Sequence, residues 1–159
     1  MSSVNHKKLL VTLYLYLLLI GCHQGISIDL GNNIVLLEGD RKEDRIIVFC
    51  SSPNSNNCYS GVYIVPSLYS NHMDLKGNYE EYVENAKSNS NWIIVKTKMV
   101  STNINRYWII DKDFKLNVER CGKELDCAKL LQRQVTGPLS FNLFKNKCQE
   151  LNIGMKFYE

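Results

Sequence analysis

The chain has 159 residues, of which 45% are hydrophobic and 22% are charged, and these proportions are typical of one globular domain. The formal net charge of +3 is weak, and basic residues alternate with acidic ones in the segment 40–45. This charge pattern excludes the dense basic surface of a nucleic-acid-binding protein, so we predict no nucleic-acid partner. The six cysteines are the unusual feature of the composition.

The N-terminal segment predicts export. Two lysines precede an apolar run over residues 9–20, and this order is the layout of a signal peptide. A helix that spans a membrane needs about 20 apolar residues, so this run is too short to span one by itself. Cleavage after Gly21 would release residues 22–159 as a single, nearly neutral, disulfide-stabilised extracellular domain. We therefore expect a signal peptide over residues 1–21 and a secreted protein.

The residues around the cleavage site also indicate a second location. Leu19-Ile20-Gly21-Cys22 resembles the lipobox of bacterial lipoproteins, in which the cysteine carries the lipid anchor. This resemblance implies an outer membrane-anchored lipoprotein as the alternative localisation, with a membrane contact only if Cys22 is lipidated. Ser27, with Gly25 two residues before it, offers a further cleavage site.

Strand patterns dominate the first half of the domain. Residues 34–38 and 45–50 are apolar runs around a charged turn, which predicts a hairpin. Residues 61–65 form a third predicted strand, ended by Pro66. In residues 78–88 the apolar positions recur at helical spacing behind an N-terminal capping pattern, which predicts one inserted helix.

The second half predicts another hairpin followed by two helices. Residues 91–100 and 106–111 have the strongest strand patterns of the chain. Residues 124–135 and 140–152 each place apolar side chains on one helical face, and a tight link should pack the two helices antiparallel. The predicted fold class is therefore α+β, with about five mostly antiparallel strands, one inserted helix and a C-terminal disulfide-braced helical hairpin.

One stretch also indicates a different architecture. Residues 91–135 contain NWIIVKTKM and RYWIIDKDFKL before a predicted helix, and they resemble the last hairpin and helix of the lipocalins. This resemblance implies a β-barrel of eight strands that carries a small apolar ligand. The early Gly-x-Trp signature of that family is missing from the chain. A lipocalin-like β-barrel and a carrier function are therefore the alternatives here.

The cysteines predict an oxidising compartment, because an exported chain with several cysteines is normally braced by disulfides. A first pair would close a loop of turn-forming residues, a second would join facing positions of the two C-terminal helices, and a third comprises the cysteines that remain. The predicted pairs are Cys50–Cys58, Cys127–Cys148 and Cys22–Cys121.

Groups suited to catalysis are few. Of the three histidines, His72 is the one that could serve a hydrolase as its base, and a small secreted hydrolase using His72 is an alternative function. Asp111 and Asp113 share one face at a strand end, but a calcium site would need further oxygen ligands. The chain contains no GxGxxG, P-loop or CxxC pattern. We therefore predict no cofactor, no metal and no catalytic residue.

Aromatic residues supply the leading functional prediction. Tyrosine and tryptophan are concentrated in the central third of the chain, and both are favoured in recognition surfaces. We expect a secreted, non-enzymatic binding or effector protein that acts on an extracellular macromolecule, either a protein or a glycan. Tyr107 and Trp108 are consecutive on a strand and should face opposite sides of the sheet. The predicted binding residues are Tyr63, Tyr69, Tyr82, Trp92 and Trp108.

Overall fold

The computed structural model describes residues 27–50, 58, 61–66, 80–116, 120–121 and 126–157. The described residues form two antiparallel sheets, each of four strands in sequential order. The strands of the first sheet are β1 (Ser27–Gly31), β2 (Ile34–Leu37), β3 (Ile46–Cys50) and β4 (Gly61–Val65). Those of the second sheet are β5 (Glu81–Ser88), β6 (Trp92–Met99), β7 (Asn105–Asp111) and β8 (Val135–Leu139).

Within the described residues, helical structure is sparse and lies mainly near the C-terminus. A 3-10 turn occupies Lys42–Asp44 between β2 and β3. Helix α1 (Cys127–Gln132) precedes β8, and helix α2 (Phe141–Glu150) follows it. Asp126 caps α1, because its side chain accepts a hydrogen bond from the Lys129 N–H. A mixed α+β class is compatible with this architecture, although sheet dominates it.

The two sheets share one hydrophobic core, and this core holds the fold together. Ile34, Ile47 and Ile64 of the first sheet are fully buried in it, as are Ile93 and Val95 of the second. The cluster also includes Leu131 of α1 and Trp108 of β7. Alternate residues along the strands point toward this core, so the inner faces of the two sheets are mainly apolar.

The outer face of the second sheet is covered by the C-terminal part of the chain. Phe144 and Cys148 of α2 pack with Ile94, Tyr107 and Ile109 in a separate cluster. Tyr107 and Trp108 therefore point to opposite faces of the sheet, as their sequence positions predicted, and both are buried. Because both faces are covered, neither aromatic ring is available at the surface.

The described residues contain more strands than predicted, and their arrangement differs from the alternative lipocalin-like barrel. Strands are present at all five predicted segments, but β1, β5 and β8 bring the total to eight in the described residues. These strands form two open sheets rather than the single closed sheet of a lipocalin-like barrel. The first sheet pairs β1 to β4 in order and the second pairs β5 to β8 in order.

The predicted helix over residues 78–88 is wrong, because residues 81–88 form strand β5. The strand pairs with β6 along its whole length, and its register shifts between Val83 and Asn85. This bulge adds one residue, so Val83 and Ala86 both reach the core although they lie three positions apart. An i, i+3 spacing that looks helical in the sequence is therefore produced by a bulged strand.

The predicted C-terminal helical hairpin is also wrong. The segment between the helices is β8, which pairs antiparallel with β7. An intervening strand separates α1 from α2, so the midpoint argument that matched Cys127 with Cys148 does not apply.

The disulfides among the described residues are consistent with the separation of α1 from α2. Cys127 is bonded to Cys121, with Cα atoms 5.4 Å apart, and Cys148 is a free buried cysteine. The predicted Cys127–Cys148 and Cys22–Cys121 pairs are therefore wrong, and Cys22 itself lies outside the described residues. The predicted loop disulfide Cys50–Cys58 is present.

Glu84 of β5 forms ion pairs with a lysine of β6 and a lysine of the 3-10 turn, and these contacts depend on pH. Its carboxylate lies 2.7 Å from the Lys96 ammonium and 3.9 Å from that of Lys42. The hydrogen bond from Lys96 lowers the pKa of Glu84 below its ordinary value, while partial burial acts in the opposite direction. In the unfolded chain this carboxylate therefore takes up a proton at a higher pH than in the folded protein.

We expect Glu84→Gln to reduce the free energy of unfolding by about 1 kcal/mol at pH 7. The difference from the wild type should shrink as the pH falls below the ordinary glutamate range, because the wild-type ion pair is then lost as well. Urea denaturation of both proteins at pH 7 and at pH 3 measures this. If the two proteins differed in free energy of unfolding by the same amount at both pH values, the Glu84 ion pairs would not be the source of the difference.

Candidate functional site

Trp92 forms one wall of a polar cleft at the end of the second sheet. The cleft has a volume of about 380 Å³, and its lining comes from two places that β-pairing brings together. Trp92 begins β6, and its Cα is paired across the sheet with that of Asp111 at the end of β7. The lining residues are Ser90, Asn91, Trp92, Asp111, Lys112 and Asp113.

The turn between β5 and β6 is held in a fixed shape by Asn89. Its side-chain oxygen accepts hydrogen bonds from the backbone N–H groups of Asn91 at 2.9 Å and of Trp92 at 2.8 Å. On the opposite side, the N–H of Asp113 donates to the Asp111 carboxylate at 2.8 Å. Both sides of the cleft are thus ordered by local side-chain to backbone bonds.

Lys112 is the residue that ties this cleft to the rest of the fold. Its ammonium donates to the carbonyl oxygens of Asn89 at 2.7 Å and Leu30 at 2.8 Å, and to the Ser88 hydroxyl at 3.2 Å. These bonds join β7 to the β5–β6 turn and to the first sheet. Burial lowers the pKa of the Lys112 ammonium, and the charge of Asp29 acts in the opposite direction.

We expect Lys112→Met to destabilise the protein by about 2 kcal/mol, because it removes a donor that serves three oxygen atoms. The methionine keeps the length and the apolar stem of lysine, so the loss reports the ammonium rather than the packing. Chemical denaturation measures the change, and Lys115→Met at an exposed neighbouring position is the control. Equal stability of the two variants would contradict a structural role for the ammonium.

The charge in the cleft comes from the two aspartates. Asp113 is exposed, and its carboxylate makes no hydrogen bond or ion pair with another residue in the described part of the chain. The Lys112 ammonium is instead directed toward the Leu30 carbonyl. Oxygen acceptors therefore face the solvent beside the half-buried Trp92 ring. An aromatic wall next to carboxylates presents both an apolar surface and hydrogen-bond acceptors to a ligand.

The four predicted binding residues that the structure describes are not brought together. Tyr63 packs on the outer face of the first sheet, Trp92 packs at the edge of the cluster under α2, and Trp108 lies in the shared core. Tyr82 is buried, with the Lys42 ammonium 5.7 Å from its ring centre. Tyr69 lies outside the described residues. Burial removes Tyr82 and Trp108 as surface contacts, whereas Trp92 lines the polar cleft.

The other cleft residues could have been found from the sequence. The hairpin of residues 91–100 and 106–111 was predicted, and its antiparallel pairing places Trp92 opposite Asp111. Extending the register of the predicted hairpin to the ends of its strands places the tryptophan beside the carboxylates. The contribution of Lys112 required the tertiary structure, because its partner Leu30 lies in the other sheet.

The described residues offer little for catalysis. None of them is a histidine, and His72 lies outside them. Glu81 is buried and Glu84 is paired with lysines, so these carboxylates do not form an open acid–base pair. Within the ranges that the structure covers, no group of three His, Cys, Asp or Glu side chains is placed to hold a metal ion.

A search for membrane-crossing segments found no sufficiently long apolar helix within the described ranges. Comparisons of the chain with protein-family models, with curated proteins and with solved structures find no significant match.

Proposed function

We propose that this chain is an exported, disulfide-braced binding protein and that the cleft beside Trp92 recognises an extracellular glycan. The observation that carries the proposal is the pairing of Trp92 with Asp111 and Asp113 in one ordered cleft. A sugar ring presents an apolar C–H face that can stack on an indole ring. Its hydroxyl groups can donate to carboxylate oxygens.

The charge of the cleft narrows the class of glycan. Two carboxylates line it, and the Lys112 ammonium is engaged by three internal oxygen atoms. An anionic sugar would meet repulsion from Asp111 and Asp113 without a free cation to offset it. We therefore propose neutral rather than sialylated or sulfated glycans as the ligands.

The test is binding of the purified protein to an immobilised panel of neutral, sialylated and sulfated glycans. We expect binding to neutral members, and Asp113→Asn should weaken it about tenfold because a charged acceptor is lost. Trp92→Ala should abolish detectable binding, with circular dichroism confirming that the variant remains folded. Asp40→Asn is the matched control, because it makes the same carboxylate-to-amide change at an exposed residue that is distant from the cleft in the sequence.

Two outcomes would contradict the glycan proposal. One is the absence of binding to every glycan on the panel, which would favour an extracellular protein as the partner. The other is equal binding by the wild type and Asp113→Asn, which would place the contact away from this cleft.

The His72 hydrolase remains a separate prediction, and turnover lost in a folded His72→Ala variant would favour it.

Export is supported by the leader pattern and by the two disulfides, Cys50–Cys58 and Cys121–Cys127, which favour an oxidising compartment. The intact mass of the protein recovered from its native host tests this. A mass that begins at Cys22 without modification would support a secreted protein. A mass that carries acyl chains on Cys22 would support the membrane-anchored lipoprotein instead.

A further inference from the structure

A second cleft lies on the opposite side of the second sheet from the shared core, between α2 and the residues that follow it. Its volume is about 300 Å³, which is at the lower end of the range of small-molecule sites. Phe141, Phe144, Met155 and Phe157 supply its apolar surface. The sulfur-bearing side chain of Cys148 also lines it.

The aromatic floor of this cleft is fixed by packing. The ring centres of Phe144 and Tyr107 are 5.1 Å apart, and those of Phe144 and Phe157 are 5.9 Å apart, with both pairs stacked. The Lys87 ammonium lies 5.6 Å from the Phe157 ring centre and donates to the Lys156 carbonyl at 2.7 Å. The C-terminal segment is therefore held against the sheet, and the cleft is already formed before any ligand arrives.

The rim of the cleft is cationic. Lys145 and Lys156 are exposed and line it, and neither makes an ion pair within the described residues. The single acid of α2, Glu150, is engaged by Lys147 at 2.6 Å. The positive charge of the two rim lysines is thus not neutralised by the helix that carries the cleft.

We propose that this cleft binds a small amphiphilic anion, a medium-chain fatty carboxylate, with its acyl chain among the phenylalanine rings and its carboxylate between Lys145 and Lys156. Apolar walls supply the binding energy and the two ammonium groups select the sign of the head group. This proposal is independent of the glycan proposal, because the two clefts share no lining residue.

Isothermal titration with three probes of equal chain length tests the head group. The probes are decanoate, decanol and decyltrimethylammonium, each used below its aggregation concentration. Decanoate should bind most tightly and the cation most weakly. Equal affinity for decanoate and the cation, or no binding of decanoate, would overturn the proposal.

A pair of variants tests the lysines. The double substitution K145Q/K156Q should weaken decanoate about fivefold and leave decanol unchanged, because each exposed ion pair contributes a fraction of a kcal/mol. Lys129→Gln on the exposed face of α1 is the matched control. Unchanged decanoate affinity in the folded double variant would overturn the proposal.

Cys148 provides a position-specific readout. Burial raises the pKa of its thiol, so alkylation should be slow in the folded protein. Bound decanoate should slow the alkylation of Cys148 by N-ethylmaleimide further, as measured by peptide mass. An alkylation rate that saturating decanoate leaves unchanged would overturn this location. Asp113→Asn should leave decanoate binding intact, so failure of the glycan proposal is distinguishable from failure of this one.

Discussion

Replacing Gly137 by alanine should destabilise the protein by about 3 kcal/mol, because the backbone and the packing both oppose a side chain there. Gly137 lies in β8 with a φ of +147°, a conformation that residues with a side chain rarely adopt. A Cβ at this position would lie 2.7 Å from a ring carbon of Trp108 and 2.9 Å from the Tyr107 carbonyl oxygen. These separations are shorter than ordinary van der Waals contacts.

The Trp108 ring cannot move aside easily to accept the new methyl group. It is buried in the shared core, and its indole N–H donates to the Thr97 hydroxyl at 2.9 Å. Relief of the clash would have to come from displacement of β8, which would break its pairing with β7.

Thermal and urea denaturation of Gly137→Ala measure this effect, and Gly154→Ala is the matched control. A Cβ at Gly154 would meet nothing within 4 Å, and that residue has no positive φ. We therefore expect Gly154→Ala to change the free energy of unfolding by less than about 0.5 kcal/mol. Equal effects of the two substitutions would show that Trp108 does not lie against β8 as described.

Thr97→Val should also destabilise the protein strongly, by about 3 kcal/mol. Thr97 is fully buried, and its hydroxyl donates to the Glu81 carboxylate at 2.5 Å while accepting from the Trp108 indole N–H. Valine matches the shape of threonine but removes both hydrogen bonds. The indole N–H would lose its partner, and the buried carboxylate would retain only Arg106, at 3.4 Å, among the partners described.

The hydroxyl and the methyl group of Thr97 can be separated by a second substitution. Thr97→Ser keeps the hydroxyl and should retain most of the stability that valine loses. Thr102→Val, in the exposed β6–β7 turn, is the control for the substitution itself and should be close to neutral. A valine variant as stable as the wild type would contradict a stabilising role for the hydroxyl network. A serine variant much less stable than the wild type would show that the methyl group of Thr97 contributes as well.

Local sequence determined the elements whose partners are close along the chain. The β6–β7 hairpin is predictable because two segments with strong strand patterns are joined by a short turn that sets their register. The Cys50–Cys58 bond was predictable for the same reason, since turn formers bring its ends together. The opposite orientations of Tyr107 and Trp108 follow from the two-residue repeat of any strand.

The candidate site was only partly accessible in this way. The sequence patterns predict Trp92 as a binding residue and place the two aspartates at a strand end, but they do not join these residues into one cleft. The lysine that orders the cleft bonds to Leu30, 82 positions away in the chain, and local patterns carry no information about such a partner.

Tertiary structure decided the remaining elements. Residues 81–88 have a helical spacing of apolar side chains, but pairing with β6 and a bulge at Val83 make them a strand. The sequence predicts a link between two helices at residues 136–139, but residues 135–139 form β8 and pair with β7. That pairing separates α1 from α2 and leaves Cys148 as a free thiol on the aromatic cleft, while Cys127 bonds to Cys121. The sequence alone therefore determined the local hairpins, the Cys50–Cys58 bond and the opposite orientations of neighbouring strand residues. Contacts between segments distant in the chain decided the edge strands of the second sheet, the separation of Cys127 from Cys148 and the cleft beside α2. The physical reason is that backbone pairing energy is realised only when the partner strand is present.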